Sequence, residues 1–91
     1  MNVGDAVRAE RDERAFPSQG SWSAFRGRPG FIVTVNHEGG PIAEDGSPTP
    51  EYGVILTTTR PRWRPDRPGE LSYDTASVSW FLEHELRSRN G

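Results

Sequence analysis

Cysteine and lysine are both absent from this 91-residue chain, and so are long hydrophobic runs. Without cysteine there are no disulfides, thiolate metal sites or thiol nucleophiles, so packing alone must stabilise the fold. All eleven basic residues are arginine, which indicates coding in a GC-rich genome. No apolar segment approaches the roughly 20 residues that span a bilayer, and the N-terminus lacks a basic and then apolar signal sequence. We therefore expect a cytoplasmic protein with no membrane contact.

The chain is short and poor in hydrophobic residues, which bounds its architecture. A domain of this length buries only roughly 60 to 65% of its unfolded surface. Hydrophobic residues make up 32% of the chain, beside ten glycines and eight prolines. This composition favours one compact β domain, residues 1–91, with long irregular loops. The formal net charge of −2 argues against a protein that coats nucleic acid with its whole surface, but it leaves a local basic patch open.

The clearest strand pattern is found in residues 25–36. A turn rich in glycine and arginine, residues 26–30, precedes Phe31, Val33 and Val35, which alternate with less apolar residues. Alternation with period two is typical of a strand with one buried face. We expect this strand to be the centre of the fold.

Three further segments are candidate strands. Residues 2–9 open with a Gly-Asp turn and then alternate, although a helix over 4–14 is a rival interpretation. Residues 51–57 show a strand pattern that Thr57 to Thr59 would extend. Residues 75–89 fit either a helix capped by Asp74 or a strand followed by a turn at 83–85, and we favour the strand.

The remaining segments are rich in turn-forming residues. We expect two long mobile loops, residues 37–50 and 58–75, and the prolines of 60–69 predict an extended, polyproline-like conformation. The charges of residues 8–14 alternate in sign and predict a solvated face. Trp22 lies among breakers in residues 16–25, where it either covers the core or contacts a partner.

Taken together, the four strand segments resemble a small SH3-like barrel of the KOW type. The positions that carry the resemblance are Gly4, Asp5, Gly27, Gly30, Val33, Tyr52, Val54, Trp80, Phe81, Glu85 and Leu86. The resemblance implies an all-β fold, a five-stranded SH3-like barrel with two long loops and a short helical turn near the C-terminus. KOW domains are usually basic and compact, whereas this chain is acidic. The lysine-free composition is similar to that of proteins from actinobacteria and their phages.

The strand patterns also predict which side chains fill the core. We expect one buried face on each strand. The predicted core residues are Val7, Phe31, Val33, Val35, Val54, Leu56, Val78, Trp80 and Leu86.

Sequence motifs of enzymes are missing. His37 and His84 are the two histidines, and neither lies in a metal-ligand spacing. No serine lies in G-x-S-x-G, and no glycine-rich phosphate loop joins a strand to a helix. We therefore expect no catalysis, no metal and no cofactor.

The most distinctive local feature is an arginine-rich segment around Trp63. It contains Arg60, Arg62, Arg64 and Arg67. Tryptophan and arginine are the residues most enriched at protein hot spots, so the leading hypothesis is a small regulatory protein that binds a protein partner there, with Trp22 at the same surface.

Two other functions stay open. The same arginines, together with Arg26 and Arg28, are suited to RNA or single-stranded DNA, since guanidinium groups bind phosphates and indoles stack on bases. Alternatively, the segment is solvated or packs on the acidic residues of 38–51, which gives little stability because exposed ion pairs contribute ~0 to 1 kcal/mol. A weaker possibility is a non-catalytic subunit of a larger enzyme.

Overall fold

The described part of the chain, residues 1–10 and 22–89, forms five antiparallel strands, which confirms the predicted all-β class. The structure is a computed structural model and describes residues 1–10 and 22–89; the side chain of Trp22 and the charged residues 11–14 lie outside the described part. The strands are β1 (Ala6–Ala9), β2 (Pro29–Asn36), β3 (Glu51–Ile55), β4 (Ser79–Leu82) and β5 (Leu86–Ser88), with a one-turn helix α1 (Trp22–Phe25) and 3-10 turns at Thr75–Ser77 and Glu83–Glu85.

The strands form one sheet in the order β4-β3-β2-β1-β5. Each neighbouring pair is antiparallel, and β1 pairs with both β2 and β5, so the chain's first and last strands lie side by side. The first strand is therefore Ala6–Ala9, and the rival helix over 4–14 does not form in the described residues. Within residues 1–10 and 22–89, no helix is long and apolar enough to cross a membrane.

A bulge in β2 changes which residues of this strand face the main core cluster. Ile32 pairs with Val54, but Thr34 rather than Val33 pairs with Gly53, so Val33 is the extra residue. One extra residue reverses the alternation of side chains along a strand. Ile32 therefore faces the core and is fully buried, whereas Phe31 lies on the opposite face of the sheet.

The main core cluster occupies one face of the sheet. Its buried members are Val7, Ala9, Ile32, Tyr52, Val54, Phe81 and Leu86, with Phe25, Val35 and Leu56 packed at its margin. Phe25 and Phe81 meet edge to face at 5.6 Å between ring centroids. Five of the nine predicted core residues are buried, namely Val7, Phe31, Val33, Val54 and Leu86.

Trp80 was predicted in the core, and this prediction is wrong. Its neighbour Phe81 pairs with Tyr52 on the core face, so Trp80 points to the opposite face, where its side chain is 47% exposed. There it pairs with Gly53, and a Cβ on Gly53 would lie 3.3 Å from the indole. Val78 is partly buried on the same side, also against Gly53.

The C-terminal segment is a strand, a turn and a strand rather than a helix. The predicted turn at 83–85 is the 3-10 turn Glu83–Glu85. The Leu82 N–H donates to the Glu85 carboxylate at 2.8 Å, which closes the turn and aims β5 back at β1. Asp74 caps only the short turn Thr75–Ser77, accepting from the Ala76 N–H at 3.0 Å.

The two long connections contain internal hydrogen bonds. In residues 37–50, the Gly40 N–H donates to the Thr49 carbonyl at 3.0 Å and the Ala43 N–H to the Ser47 carbonyl at 2.9 Å. The third strand ends at Ile55, short of the expected extension through 59. The mobility expected for residues 37–50 and 58–75 stays a prediction.

Candidate functional site

The arginine-rich segment is a loop that folds back on itself through one isolated bridge, and we call residues 62–72 the hairpin. Trp63 and Leu71 form an antiparallel bridge. The Arg64 N–H donates to the Glu70 carbonyl at 2.8 Å, and the Ser72 N–H donates to the Arg62 carbonyl at 2.8 Å. Prolines do not block this pairing because Pro61, Pro65 and Pro68 lie outside the donor positions. Leu71 is 3% exposed and anchors the hairpin.

Trp63 is fixed on one side and open on the other. Its side chain is 53% exposed. The inner edge of the indole packs on Gly4, where a Cβ would lie 3.0 Å from Cζ2. Gly4 has a φ of 97°, a conformation that glycine adopts without strain. The result is an exposed indole supported by both the hairpin backbone and the start of β1.

Two of the hairpin arginines are already paired with carboxylates. Arg64 contacts Asp66 through two hydrogen bonds, Nε to Oδ1 at 3.2 Å and the terminal nitrogen to Oδ2 at 2.9 Å. These bonds hold the pKa of Asp66 below its usual value and raise the pKa of Arg64. Arg67 lies 3.7 Å from Glu70. Arg62 is exposed and forms no ion pair with any residue in the described part of the chain.

Arg60 precedes the hairpin, and its side chain contacts residues of the sheet and of the turn before β1. Its guanidinium donates to the Gly4 carbonyl at 2.7 Å and lies 4.8 Å from the centre of the Phe31 ring. A guanidinium at this distance from an aromatic face is attracted to the ring. Gly4 therefore touches both Trp63 and Arg60, and it is the point where the hairpin meets the sheet.

Arg26 and Arg28 lie apart from the hairpin, on the segment that leads from α1 into β2. The Ala9 N–H donates to the Arg28 carbonyl at 2.9 Å, so this segment runs beside the end of β1. Both arginines are exposed. The predicted contact residues thus separate into a hairpin group around Trp63 and a second group at the other end of β1.

The structure also reveals arginines that the sequence patterns did not single out. Arg8 on β1 lies directly opposite Arg87 on β5 in the strand register. Arg89 donates to the Val7 carbonyl at 2.9 Å and to the Gly30 carbonyl at 3.1 Å, and its guanidinium lies 5.1 Å from the Phe31 ring centre. With Arg60 they form a set that we call the sheet-face arginines. The signal in the sequence was their alternation with buried Val7 and Leu86.

Two clefts lie beside these elements. One of about 640 Å³ lies between the N-terminus, β2 and the hairpin; its lining includes Val3, Val33, Arg64, Leu71 and Tyr73. The other, of about 420 Å³, is lined by Pro41, Thr49, Pro50, Leu82, Glu83 and His84. No group of acidic or histidine side chains able to hold a metal occurs within residues 1–10 and 22–89.

The chain is similar to proteins encoded by mycobacteriophages. A family model described as mycobacteriophage gene 51 protein matches residues 1–62. The gene 51 protein of Mycobacterium phage L5 is 39% identical over 57 residues, which cover 63% of this chain and 73% of that protein. The gene 51 protein of Mycobacterium phage D29 is 41% identical over 57 residues, which cover 63% of this chain and 72% of the relative.

No solved structure matches, so the KOW-type resemblance has no support from a known fold. The expectation of a phage protein is confirmed by the family match, which extends from the N-terminus through β1, α1, β2 and β3 and ends one residue before Trp63. Since the family model covers more than half of its residues, this chain belongs to the mycobacteriophage gene 51 protein family.

Proposed function

We propose that this protein is a non-catalytic phage regulator that acts in the cytoplasm by binding a protein partner through the hairpin of residues 62–72. The observation that carries the proposal is the state of Trp63. Its backbone is bridged to Leu71 and its ring is supported by Gly4, yet the side chain is 53% exposed. A large aromatic held in place but left open resembles the anchors that dominate protein interfaces.

The charges of the hairpin favour a protein over nucleic acid as its partner. Asp66 and Glu70 already pair with Arg64 and Arg67, so the hairpin presents little net positive charge. Arg62, beside Trp63, is exposed and pairs with no carboxylate of residues 1–10 or 22–89, so it is available to a partner. Because the hairpin is paired before binding, docking would order few side chains, and little conformational entropy would be lost.

We also propose that the sheet is an SH3-like barrel of the KOW type. The strand order β4-β3-β2-β1-β5 and the 3-10 turn between β4 and β5 support this assignment. Such barrels serve many functions, so the fold by itself does not select the partner.

Photo-crosslinking from the hairpin tests the proposed function. A photoreactive amino acid at position 62 should capture one defined protein from an extract of the host cell, and Trp63→Ala should abolish that crosslink. Trp80→Ala is the matched control because Trp80 is a second tryptophan of similar exposure, at 47%, outside the hairpin. Loss of the crosslink with Trp63→Ala and its retention with Trp80→Ala would support the proposal.

Two outcomes would contradict it. If both tryptophan variants lost the crosslink equally, the capture would reflect general hydrophobic adhesion. If Trp63→Ala, folded by circular dichroism, captured the same protein as the parent, the hairpin would not be the contact surface.

A further inference from the structure

The sheet-face arginines, which we also call the row, come from β1, β5 and the segments that follow β5 and β3. Arg8 and Arg87 are directly opposed on β1 and β5, so their Cβ atoms are separated by roughly 4.5 to 5.5 Å. Arg89 follows two residues after Arg87, which places it on the same face, roughly 6.6 Å further along the strand. Its backbone continues the ladder, since the Arg89 N–H donates to the Ala6 carbonyl at 2.9 Å. The Arg60 guanidinium lies 4.8 Å from the centre of the Phe31 ring, which the Arg89 guanidinium also contacts at 5.1 Å.

Three of the four side chains are held by backbone carbonyls, which carry no formal charge to compensate theirs. Arg8 donates to the Gly27 carbonyl at 2.8 Å, and Arg60 and Arg89 donate to the carbonyls of other residues on or near the sheet. All four side chains are exposed. None of the four forms an ion pair with a residue in 1–10 or 22–89. This includes Glu10, although it follows Arg8 by only two positions.

Opposed like charges cost stability, so their presence needs a reason. Two arginines directly across a strand pair repel each other, and replacing one by a neutral residue would relieve the repulsion. The charge of another part of the chain differs from that of the row, because residues 29–59 contain four acidic residues and no arginine. The sheet-face arginines lie outside this acidic segment of a protein whose formal net charge is −2.

We propose that the sheet-face arginines bind the phosphate backbone of a nucleic acid. Guanidinium groups bind phosphate through paired hydrogen bonds and keep their charge at all relevant pH values. The separation of Arg87 and Arg89 along β5 is of the same order as that between successive phosphates of a nucleic-acid strand. A peptide carries at most one carboxylate per side chain, so a regular array of phosphates fits the row better than an acidic peptide does. This surface is distinct from the hairpin of the proposed function.

Salt-dependent binding measures the number of phosphates that the row contacts. A labelled oligonucleotide of mixed sequence, single-stranded in one series and duplex in another, is titrated with the protein at several salt concentrations while anisotropy is recorded. Binding should be saturable at low salt. Each phosphate contacted should add about −0.7 to the slope of log K against log salt for a single strand and about −0.9 for a duplex. The strand type that binds more tightly identifies the source of the phosphates.

The informative variants remove one charge each. Arg87→Gln should reduce the slope by about one phosphate contact, that is by about 0.7 on a single strand, and Arg8→Gln should do the same. Arg87→Lys keeps the charge and should keep most of the slope. Arg67→Gln is the matched control, because it removes one positive charge from the hairpin, where Arg67 lies beside Glu70. It should leave the slope unchanged.

Three results would overturn the inference. One is the absence of binding to either strand type at low salt. Another is an equal loss of slope in Arg87→Gln and Arg67→Gln, which would mean that net charge and not the row determines binding. The third is tighter, Arg87-dependent binding of a labelled polyglutamate peptide, which would assign the row to an acidic protein segment. Trp63→Ala should leave oligonucleotide binding intact, so failure here and failure of the hairpin crosslink are separate outcomes.

Discussion

Two groups of arginines in this protein differ in how they are assembled and in what neutralises them. The hairpin arginines, 62, 64 and 67, lie within six residues of sequence. Two of them pair with Asp66 and Glu70 of the same hairpin. The sheet-face arginines, 8, 60, 87 and 89, come from distant parts of the chain and are brought together by strand register. The group that is conspicuous in the sequence is the one that the fold largely neutralises.

The physical reason lies in the distance along the chain. Charged residues within one short hairpin reach each other without any loss of chain entropy beyond that of the hairpin itself, so local ion pairs form readily. Strand pairing is decided mainly by the apolar face of each strand, because burial of that face dominates the free energy. The apolar face therefore also determines which side chains meet on the polar face. Like charges from residues far apart in sequence can lie side by side there.

The largest expected effect separates the aromatic residues of the two regions. Phe31 is 5% exposed and lies beneath Arg60 and Arg89, whereas Trp63 is 53% exposed. We expect Phe31→Ala to lower the free energy of unfolding by about 3 to 5 kcal/mol. Trp63→Ala should cost at most about half of that, since half of its side chain already contacts water. Urea denaturation followed by circular dichroism measures both.

A result in the reverse order would break the comparison. If Trp63→Ala destabilised the protein more than Phe31→Ala, the indole would be a structural element and its exposure would not indicate a contact surface. Phe31→Leu separates the two contributions of the ring, because it keeps an apolar side chain in place but removes the aromatic face that attracts the two guanidiniums.

The next effect concerns Gly4, which joins the two regions. A side chain there would be strained at a φ of 97° and would press on Trp63 at 3.0 Å. We expect Gly4→Ala to cost about 1 to 3 kcal/mol, more than the strain of a left-handed residue alone. The emission spectrum of Trp63, measured with Trp22 and Trp80 replaced by Phe, should also shift as the indole is displaced.

Gly46→Ala is the control for that substitution. Gly46 has a φ of 84°, but a Cβ added there would meet no atom within 4 Å, so this variant carries the strain without the contact. Equal losses of stability in the two variants, with no change in Trp63 emission, would show that Gly4 does not support the indole.

Much of the fold followed from the sequence because alternation survives in short strands. Turn residues and period-two patterns placed β1, β2 and β3, and the turn Glu83–Glu85 was located within the ambiguous C-terminal segment. The bulge at Val33 could not be foreseen, because nothing in an alternating run of β-branched residues marks which one is left unpaired. That single irregularity turned Ile32 toward the main core cluster and Phe31 toward the opposite face, although Phe31 and Val33 are both buried as predicted.

The contact residues were harder to predict than the strands. Prolines at 61, 65 and 68 suggested an unpaired loop, but hairpin pairing uses the donors of Arg64 and Ser72 instead. All the predicted contact residues stay predictions, and Trp63 and Arg62 are the two on which the proposed function rests. Arg8 and Arg87 are separated by most of the chain, so their pairing depends on knowing that the first and last strands are neighbours. A single sequence offers no direct signal for that neighbourhood.

The smallest expected effect has the opposite sign and is the most diagnostic. If Arg8 and Arg87 repel each other across β1 and β5, Arg87→Gln should raise the free energy of unfolding by about 0.2 to 1 kcal/mol. The gain should shrink as salt is added, because the screening length falls from about 10 Å at 0.1 M to about 3 Å at 1 M. Arg67→Gln, which breaks a contact with Glu70, should give no such gain. A loss of stability in Arg87→Gln would mean that the guanidinium is a structural contact, and the row would then need no ligand to explain it. A gain that disappears at high salt would show that the sheet holds the two charges together against their repulsion, as a surface prepared for an anionic partner requires.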